Sequence, residues 1–291
     1  MNMRRYAPLF GIVAVLLWGG SFTAGKIAYQ QLSTYELLFI RMTISTLIFL
    51  PYLMWRTHRA GLPKGKTLLS LTALGFLAYP ATLSFQFLGL QYTHASVASI
   101  AVGLEGTVTM ILAYWVLKQK PTKSNWIVAL MAFMGLLIVI GVPEDARLVG
   151  IGLILCANVC AGASIIVNKP LFEKMTALDI VGWSMALGTL MIVIASPYFG
   201  GIPQYNGLTS EVWWAILTIS LGSTVIAYIL YTICLQYLSA TRTAQFIVLE
   251  PVVGVLAGIM ILGEPLTLNI ILGACMVIGA ILINSFIGDE H

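Results

Sequence analysis

The sequence predicts an all-α integral membrane protein, with ten transmembrane helices forming two inverted five-helix repeats and both termini cytoplasmic. Three observations lead there. Apolar residues make up 59% of the 291 residues and charged residues only 9%, against roughly 25% charged in a soluble domain. The chain also repeats itself at an offset of 145 residues, which carries Leu90-Gln91-Tyr92 onto Leu235-Gln236-Tyr237, Ala95 onto Ala240, Glu105 onto Glu250 and Thr122 onto Thr267. Finally, the basic residues fall almost entirely on one side of the predicted membrane.

Ten apolar stretches are each long enough to cross ~30 Å of hydrocarbon as a helix. The first, 7–27, follows Arg4 and Arg5. It has the basic-then-apolar look of a signal peptide, but the run is too long and no small-residue cleavage site is clear, so it is read as a retained first span. Stretch 33–55 ends at Trp55, 67–90 carries Pro80, and 95–117 is centred on Glu105. Stretch 124–142 opens near Trp126, and 148–168, with Asn158 and Asn168, gives the weakest signal. The series closes with 177–197, then 212–236 opening on Trp213 and Trp214, 240–262 centred on Glu250-Pro251, and 268–287. The tryptophans at span ends suit a membrane interface.

With the N-terminus inside, twelve of the fifteen basic residues lie in cytoplasmic segments, only Arg147 lies outside, and Lys26 and Arg41 fall in spans. This distribution places both termini in the cytoplasm. Five helices per repeat is an odd number, so the second repeat (146–291) must enter upside down relative to the first (1–145), with a site near the midplane between them. The start of the repeat aligns at an offset of 143: Gly19-Gly20-Ser21 onto Gly162-Ala163-Ser164, Lys26 onto Lys169, and Glu36 onto Asp179.

The net charge of +4 carries no nucleic-acid signal, because the basic residues lie in loops rather than on one solvated face. Cys156, Cys160, Cys234 and Cys275 sit in apolar stretches without a histidine or acid to complete a metal site, and are expected to be inert buried thiols. No cofactor is expected. Gly61-Leu62-Pro63-Lys64-Gly65-Lys66-Thr67 mimics a phosphate-binding loop but is one residue short and follows a membrane helix, not a strand.

The chain resembles the drug/metabolite transporter superfamily, in its ten-helix EamA-type branch. The resemblance is carried by Trp18-Gly19-Gly20-Ser21-Phe22 with Lys26, by Arg41, and by Gln91 through Ser99 entering the fourth span. In the second half it is carried by Leu249-Glu250-Pro251 and Leu262-Gly263-Glu264-Pro265-Leu266-Thr267. It implies a secondary transporter of small metabolites, commonly amino acids or related compounds, in a bacterial inner membrane, without ATP hydrolysis. Two departures stand out. Gly106 replaces the second repeat's Pro251, so the fourth span need not break as the ninth does. Lys118-Gln119-Lys120 replaces Gly263-Glu264-Pro265, so the first half lacks the helix-end glutamate.

Glu105 and Glu250 lie ~15 Å from either membrane face at 1.5 Å per residue. An ionised carboxylate there must be paired or wetted. Each is therefore either a protonatable site or partner for a substrate ammonium, or a hydrogen-bonded tie between helices. Pro251 removes an intrahelical bond and frees the carbonyl near Ile247, and Pro80 does the same beside Tyr79; both fit a gate or a packing kink. Arg41 and Lys26 suit a substrate carboxylate, with snorkelling or a pair with Glu36 as the alternative for Lys26. Trp18, too deep for an interfacial belt, stacks on a substrate or fills a gap. Tyr79, Gln86, Asn158, Tyr228 and Gln245 are polar at membrane depth and are expected to face the bundle interior. Gly254 and Gly258 read as close helix contact.

The expected partners are a small-molecule substrate, protons as a candidate coupling ion, and the lipid bilayer; the oligomeric state is left open. A channel or a flippase for lipids or lipid-linked compounds is the alternative. A membrane-embedded enzyme fits least: His58, His94 and His291 lie outside spans or at their ends, and no intramembrane aspartate pair or nucleophile elbow is present.

Overall fold

The computed structural model describes residues 3–140, 145–200 and 207–287; His291 and the last residues of the stretch 124–142 lie outside them. We label the helical rods α1 (Met3–Ala28), α2 (Thr34–Ala60), α3 (Gly65–Gln91), α4 (Ala95–Leu117) and α5 (Lys123–Ile140), followed by α6 (Asp145–Asn168), α7 (Ala177–Ala195), α8 (Ser210–Tyr237), α9 (Ala240–Leu262) and α10 (Leu268–Ile287). Among the described residues, eight helices are long and apolar enough to cross a membrane, and Lys123–Val139 forms a shorter apolar one.

Local chemistry accounts for where the rods begin. At α2, Ser33 Oγ accepts from the Glu36 N–H while the Glu36 carboxylate accepts from the Ser33 N–H. Thr176 and Asp179 repeat this reciprocal cap at α7, 143 residues later, satisfying helix-end donors that have no intrahelical partner. Asp179 also accepts from Arg56 Nε at 2.7 Å and from the Tyr52 hydroxyl at 2.7 Å. Glu36, held in its cap, forms no ion pair with Lys26 among the described residues.

The strongest packing partners are α5 with α10, α3 with α6, α1 with α8, α6 with α4, α1 with α9, α4 with α9, and α2 and α3 each with α7. Exchanging the two halves turns α1–α8 into α6–α3 and α1–α9 into α6–α4, and leaves α2–α7, α4–α9 and α5–α10 unchanged. At the centre small residues allow close approach: a Cβ on Gly19 would lie 2.7 Å from the Glu250 carbonyl oxygen, and one on Gly254 would strike the Ser99 side chain.

Both α4 and α9 are interrupted, although Gly106 in place of a proline gave α4 no need to break. In α9 the turn Gln245–Leu249 is 3-10 helix and α-helix resumes at Glu250 with Pro251 in its first turn, where the missing N–H costs nothing. The Ile247 carbonyl is not left free, because the Glu250 N–H donates to it. In α4 the helix stops at Val102 and resumes at Glu105. The Gly103 N–H reaches Ser99 and Ile100, and the Leu104 N–H reaches Ala101. The α4 break has no proline of its own, but its Gly103 packs against the Pro251 ring, whose Cγ would lie 3.2 Å from a Cβ at that position.

Pro80 lies in a π-helical turn, Leu77–Ala81, and a longer π segment, Thr218–Ile226, occupies the matching place in α8 without any proline. Threonine hydroxyls support both: Thr82 donates to the Leu77 carbonyl at 2.6 Å and Thr224 to the Ile219 carbonyl at 2.9 Å. Such turns recur at functional sites.

The helix-end motif explains its own departure. Glu264 accepts the Ala95 N–H at 2.6 Å and the Ser96 N–H at 3.0 Å, capping α4 from the connection that follows α9, since His94 at the cap position makes no side-chain cap. His94 Nδ1 lies 3.8 Å from Glu264. At the mirrored junction Gln119 accepts the Thr241 N–H at a longer 3.4 Å. There α9 has its own cap, Ser239, accepting from the Arg242 N–H at 3.1 Å, so a neutral acceptor suffices. Lys118 adopts φ +56° where Gly263 adopts +66°. The cysteines depart from expectation too: only Cys234 is buried, while Cys156 and Cys275 are exposed, because an apolar stretch does not fix which face a thiol takes.

A left-handed backbone costs a side-chain-bearing residue ~1–2 kcal/mol. Gly263→Ala is therefore expected to lower the melting temperature of the purified protein, and Lys118→Gly to leave it unchanged or raise it; a fall with Lys118→Gly would contradict the strain. Removing a carboxylate that holds two buried N–H groups costs roughly 2–3 kcal/mol. The expected stability order is wild type above Glu264→Gln above Glu264→Ala, whereas Gln119→Ala should have a smaller effect, all read by the same thermal unfolding.

Candidate functional site

A cavity lies between the halves, with about 760 Å³ of unfilled space when its opening is counted. It is reached by residues from α1, α2, α3 and α4 of the first half and α6, α7, α8 and α9 of the second.

The two glutamates are set by the helix breaks. Glu105 and Glu250 are each the first residue of a resumed helix, where the helix dipole favours negative charge. Both line the cavity, and Glu250 is 2% exposed. The ion pairs among the described residues are Arg56–Asp179 and His94–Glu264, so neither intramembrane carboxylate is matched by a cation within 4.0 Å.

Arg41 lines the same cavity from α2 and is 2% exposed. Its Nε donates to Thr224 Oγ1 at 2.6 Å, and its guanidinium carbon lies 5.1 Å from the centre of the Phe87 ring. Nη1 has no hydrogen-bond partner among the described residues. The offset of 143 maps Arg41 onto Ser184, which also lines the cavity, so this charge exists in one half alone.

An aromatic wall completes the site. Trp18 Nε1 donates to the Ser223 carbonyl at 2.8 Å, which fixes the indole. Its ring lies 5.3 Å from Tyr228, edge-on, and 4.8 Å from Tyr231. Tyr228 in turn lies 5.0 Å from Tyr79 and donates to the Ala78 carbonyl at 3.2 Å.

Of the residues singled out by sequence, Glu105, Glu250, Arg41, Trp18, Tyr79, Gln86 and Tyr228 converge on this cavity. Lys26, Asn158 and Gln245 do not line it. Lys26 ends α1, half-buried and within Coulombic reach of Glu264. Asn158 donates to the Ala101 carbonyl at 2.9 Å, tying α6 to the α4 break. Gln245 opens the 3-10 turn of α9. Pro80 and Pro251 flank the site through the π turn and the α9 restart. Sequence reading missed Ser21, Ser164, Ser184, Tyr231 and Thr232. Ser21 and Ser164 were visible as a repeat-conserved polar pair, whereas Tyr231 was visible only as the residue one turn beyond Tyr228.

The cavity is not symmetric along the bundle. It extends to Asn168, Ile180, Val181 and Leu235. Their mates in the first half are Gly25, Leu37, Leu38 and Leu90, and none of them lines it. Leu37, Leu38 and Leu90 are at most 1% exposed, and a Cβ on Gly25 would lie 2.9 Å from Phe87. At the extended end Lys169 Nζ donates to the Leu235 carbonyl at 2.5 Å and also to the Leu238 carbonyl, a cation on the last carbonyls of α8 as a helix C-terminus favours.

Several known proteins are similar to this chain over most of its length. An uncharacterized transporter of Archaeoglobus fulgidus is 28% identical over 91% of this chain and 94% of its own length. The uncharacterized transporter YoaV of Bacillus subtilis is 22% identical over 96% of each chain. A solved crystal structure superposes with a TM-score of 0.75 at 14% identity, covering 97% of both chains, which speaks to fold alone. The EamA-like transporter family matches residues 5–141 and again 148–286. This multi-pass, apolar-helical chain therefore belongs to the EamA-like transporter family, part of the drug/metabolite transporter superfamily.

Proposed function

We propose that the protein is a secondary transporter exporting small metabolites, amino acids and related compounds among them, by alternating access through the central cavity. The observation that carries this reading is the placement of two repeat-related carboxylates, Glu105 and Glu250, without ion-pair partners, in a cavity between the two halves. An intramembrane acid that no internal cation matches is a functional group by default, and protons are the coupling ion it suits.

The topology proposed is ten spans in two inverted repeats, 1–145 and 146–291, in a bacterial inner membrane with both termini cytoplasmic. Several features support it: the packing pairs that survive exchange of the halves, the mirrored Glu264 and Gln119 caps, the matched π turns and the matched breaks before each glutamate. In this topology the cavity extends toward the cytoplasm, through Asn168 and Leu235, and its sealed end, at Leu37, Leu38 and Leu90, faces outward. An inverted repeat supplies the second state by exchanging the two arrangements. The outer residues then separate while Asn168 and Leu235 pack as Gly25 and Leu90 do here.

Glu250→Gln is expected to cut flux in proteoliposomes by roughly tenfold or more, the ~1.5–3 kcal/mol of a charged contact, while expression and unfolding temperature hold. Undiminished transport between about pH 5 and 8 would remove this glutamate from the mechanism. Saturable, substrate-selective flux supports a carrier, whereas nonsaturable ionic conductance would make the protein a channel. Reporter fusions near residues 60, 120 and 170 should all read cytoplasm; an outside signal at any of them overturns the inverted topology.

A further inference from the structure

Arg41 is a charge that the protein itself leaves unfinished. Arg41 is 2% exposed, yet its one side-chain hydrogen bond among the described residues runs from Nε to Thr224, and Nη1 has none. No carboxylate lies within 4.0 Å of it among the described residues. A buried guanidinium without a counter-charge costs several kcal/mol, and contact with the Phe87 face at 5.1 Å returns only ~1–2 kcal/mol of that. Structural arginines in such places are matched by an acid on a neighbouring helix. Here the acids in the cavity, Glu105 and Glu250, are not within ion-pair distance, so cation and anions face the same space separately.

The backbone is also shaped to hold this arginine. Thr224 sits in the π segment of α8, where its hydroxyl donates to the Ile219 carbonyl, five residues back, and so presents its lone pairs to Arg41 Nε. Fixing Nε fixes the plane of the guanidinium and leaves the Nη groups as the available fork, the geometry that matches a carboxylate or phosphate. Ser184, the mate of Arg41, lines the cavity without a charge, so one anionic group is provided for, not two.

We propose that Arg41 is an anion-binding subsite of the cavity, oriented by Thr224 as a positioning residue, and that the transported compounds carry a carboxylate or phosphate seated against it. The proposal rests on the cavity being the substrate site. It excludes simple amines and quaternary cations as substrates, although two acids are present, because a ligand lacking an anion leaves the guanidinium unmatched. Trp18, Tyr228 and Tyr231 would pack on the apolar part of the ligand.

Four probes sharing one phenyl group test this by equilibrium binding to the purified full chain, followed by tryptophan fluorescence with Trp18→Phe as the signal control and by isothermal calorimetry. The probes are phenylalanine, 3-phenylpropionate, 2-phenylethyl phosphate and phenethylamine. At least one of the two amine-free anions should bind, the tighter of them showing whether carboxylate or phosphate is the preferred group, and phenethylamine should bind at least about tenfold more weakly. Arg41→Gln should weaken the anions about tenfold or more. Thr224→Val should weaken them to a lesser degree and Thr224→Ser should restore them, which loss of packing alone would not do. Arg41→Lys, which keeps the charge, covers the case in which Arg41→Gln fails to fold, and should retain weakened anion binding. Phenethylamine binding as tightly as the acids, unchanged anion affinity in Arg41→Gln, or no anion binding at millimolar concentration would each overturn the subsite. Parallel flux measurements separate the two ideas: anion binding without any transport defeats the transport reading alone, and amine transport without anion binding defeats the subsite alone.

Discussion

A backbone amide in hydrocarbon has no water to turn to, so every interruption of a helix at membrane depth must find its hydrogen bonds within the protein. The centre of this fold is organised around that constraint. The breaks of α4 and α9 lie against one another, with Gly103 beneath the Pro251 ring, and tightened i to i+3 bonds absorb the amides that each break releases. Restarting a helix mid-membrane creates a fresh N-terminus, and the chain places a glutamate at each. The π turns of α3 and α8 obey the same rule through Thr82 and Thr224. The irregular backbone thus surrounds a cavity that polar groups from both halves line.

Much of this was legible in the sequence because a membrane imposes a coarse code. A span needs ~20 apolar residues, and the rods begin and end within a few residues of the apolar stretches. The repeat offset exposed the glutamate pair without any structure, since an acid recurring at mid-span is rare enough to register. The cavity-lining positions of Arg41, Trp18 and Tyr228 followed from polarity or size at depth.

What escaped the sequence depends on facing and on partners from the other half. Asn158 has the same polarity and depth as the cavity residues, but its amide is consumed by the Ala101 carbonyl. A glycine at 106 instead of proline gave α4 no need to break, and the packing of Gly103 against Pro251 comes from a different helix. The loss of the helix-end glutamate in the first half looked like a lost function. It is compensated locally by Ser239, which already caps the helix that Gln119 meets.

The duplication stops short of the electrostatics. Backbone breaks, π turns and carboxylates are paired, but the position held by Arg41 in one half is held by Ser184 in the other, and both line the cavity. Two identical halves would present one and the same surface to a ligand arriving from either side of the membrane. The cavity extends toward one end of the bundle only, and a single guanidinium makes it polar in charge as well, so a dipolar ligand within it would have one preferred heading. In the alternating-access cycle proposed above, that difference would set how firmly each face holds its cargo, with the direction of net flow left to the gradients outside.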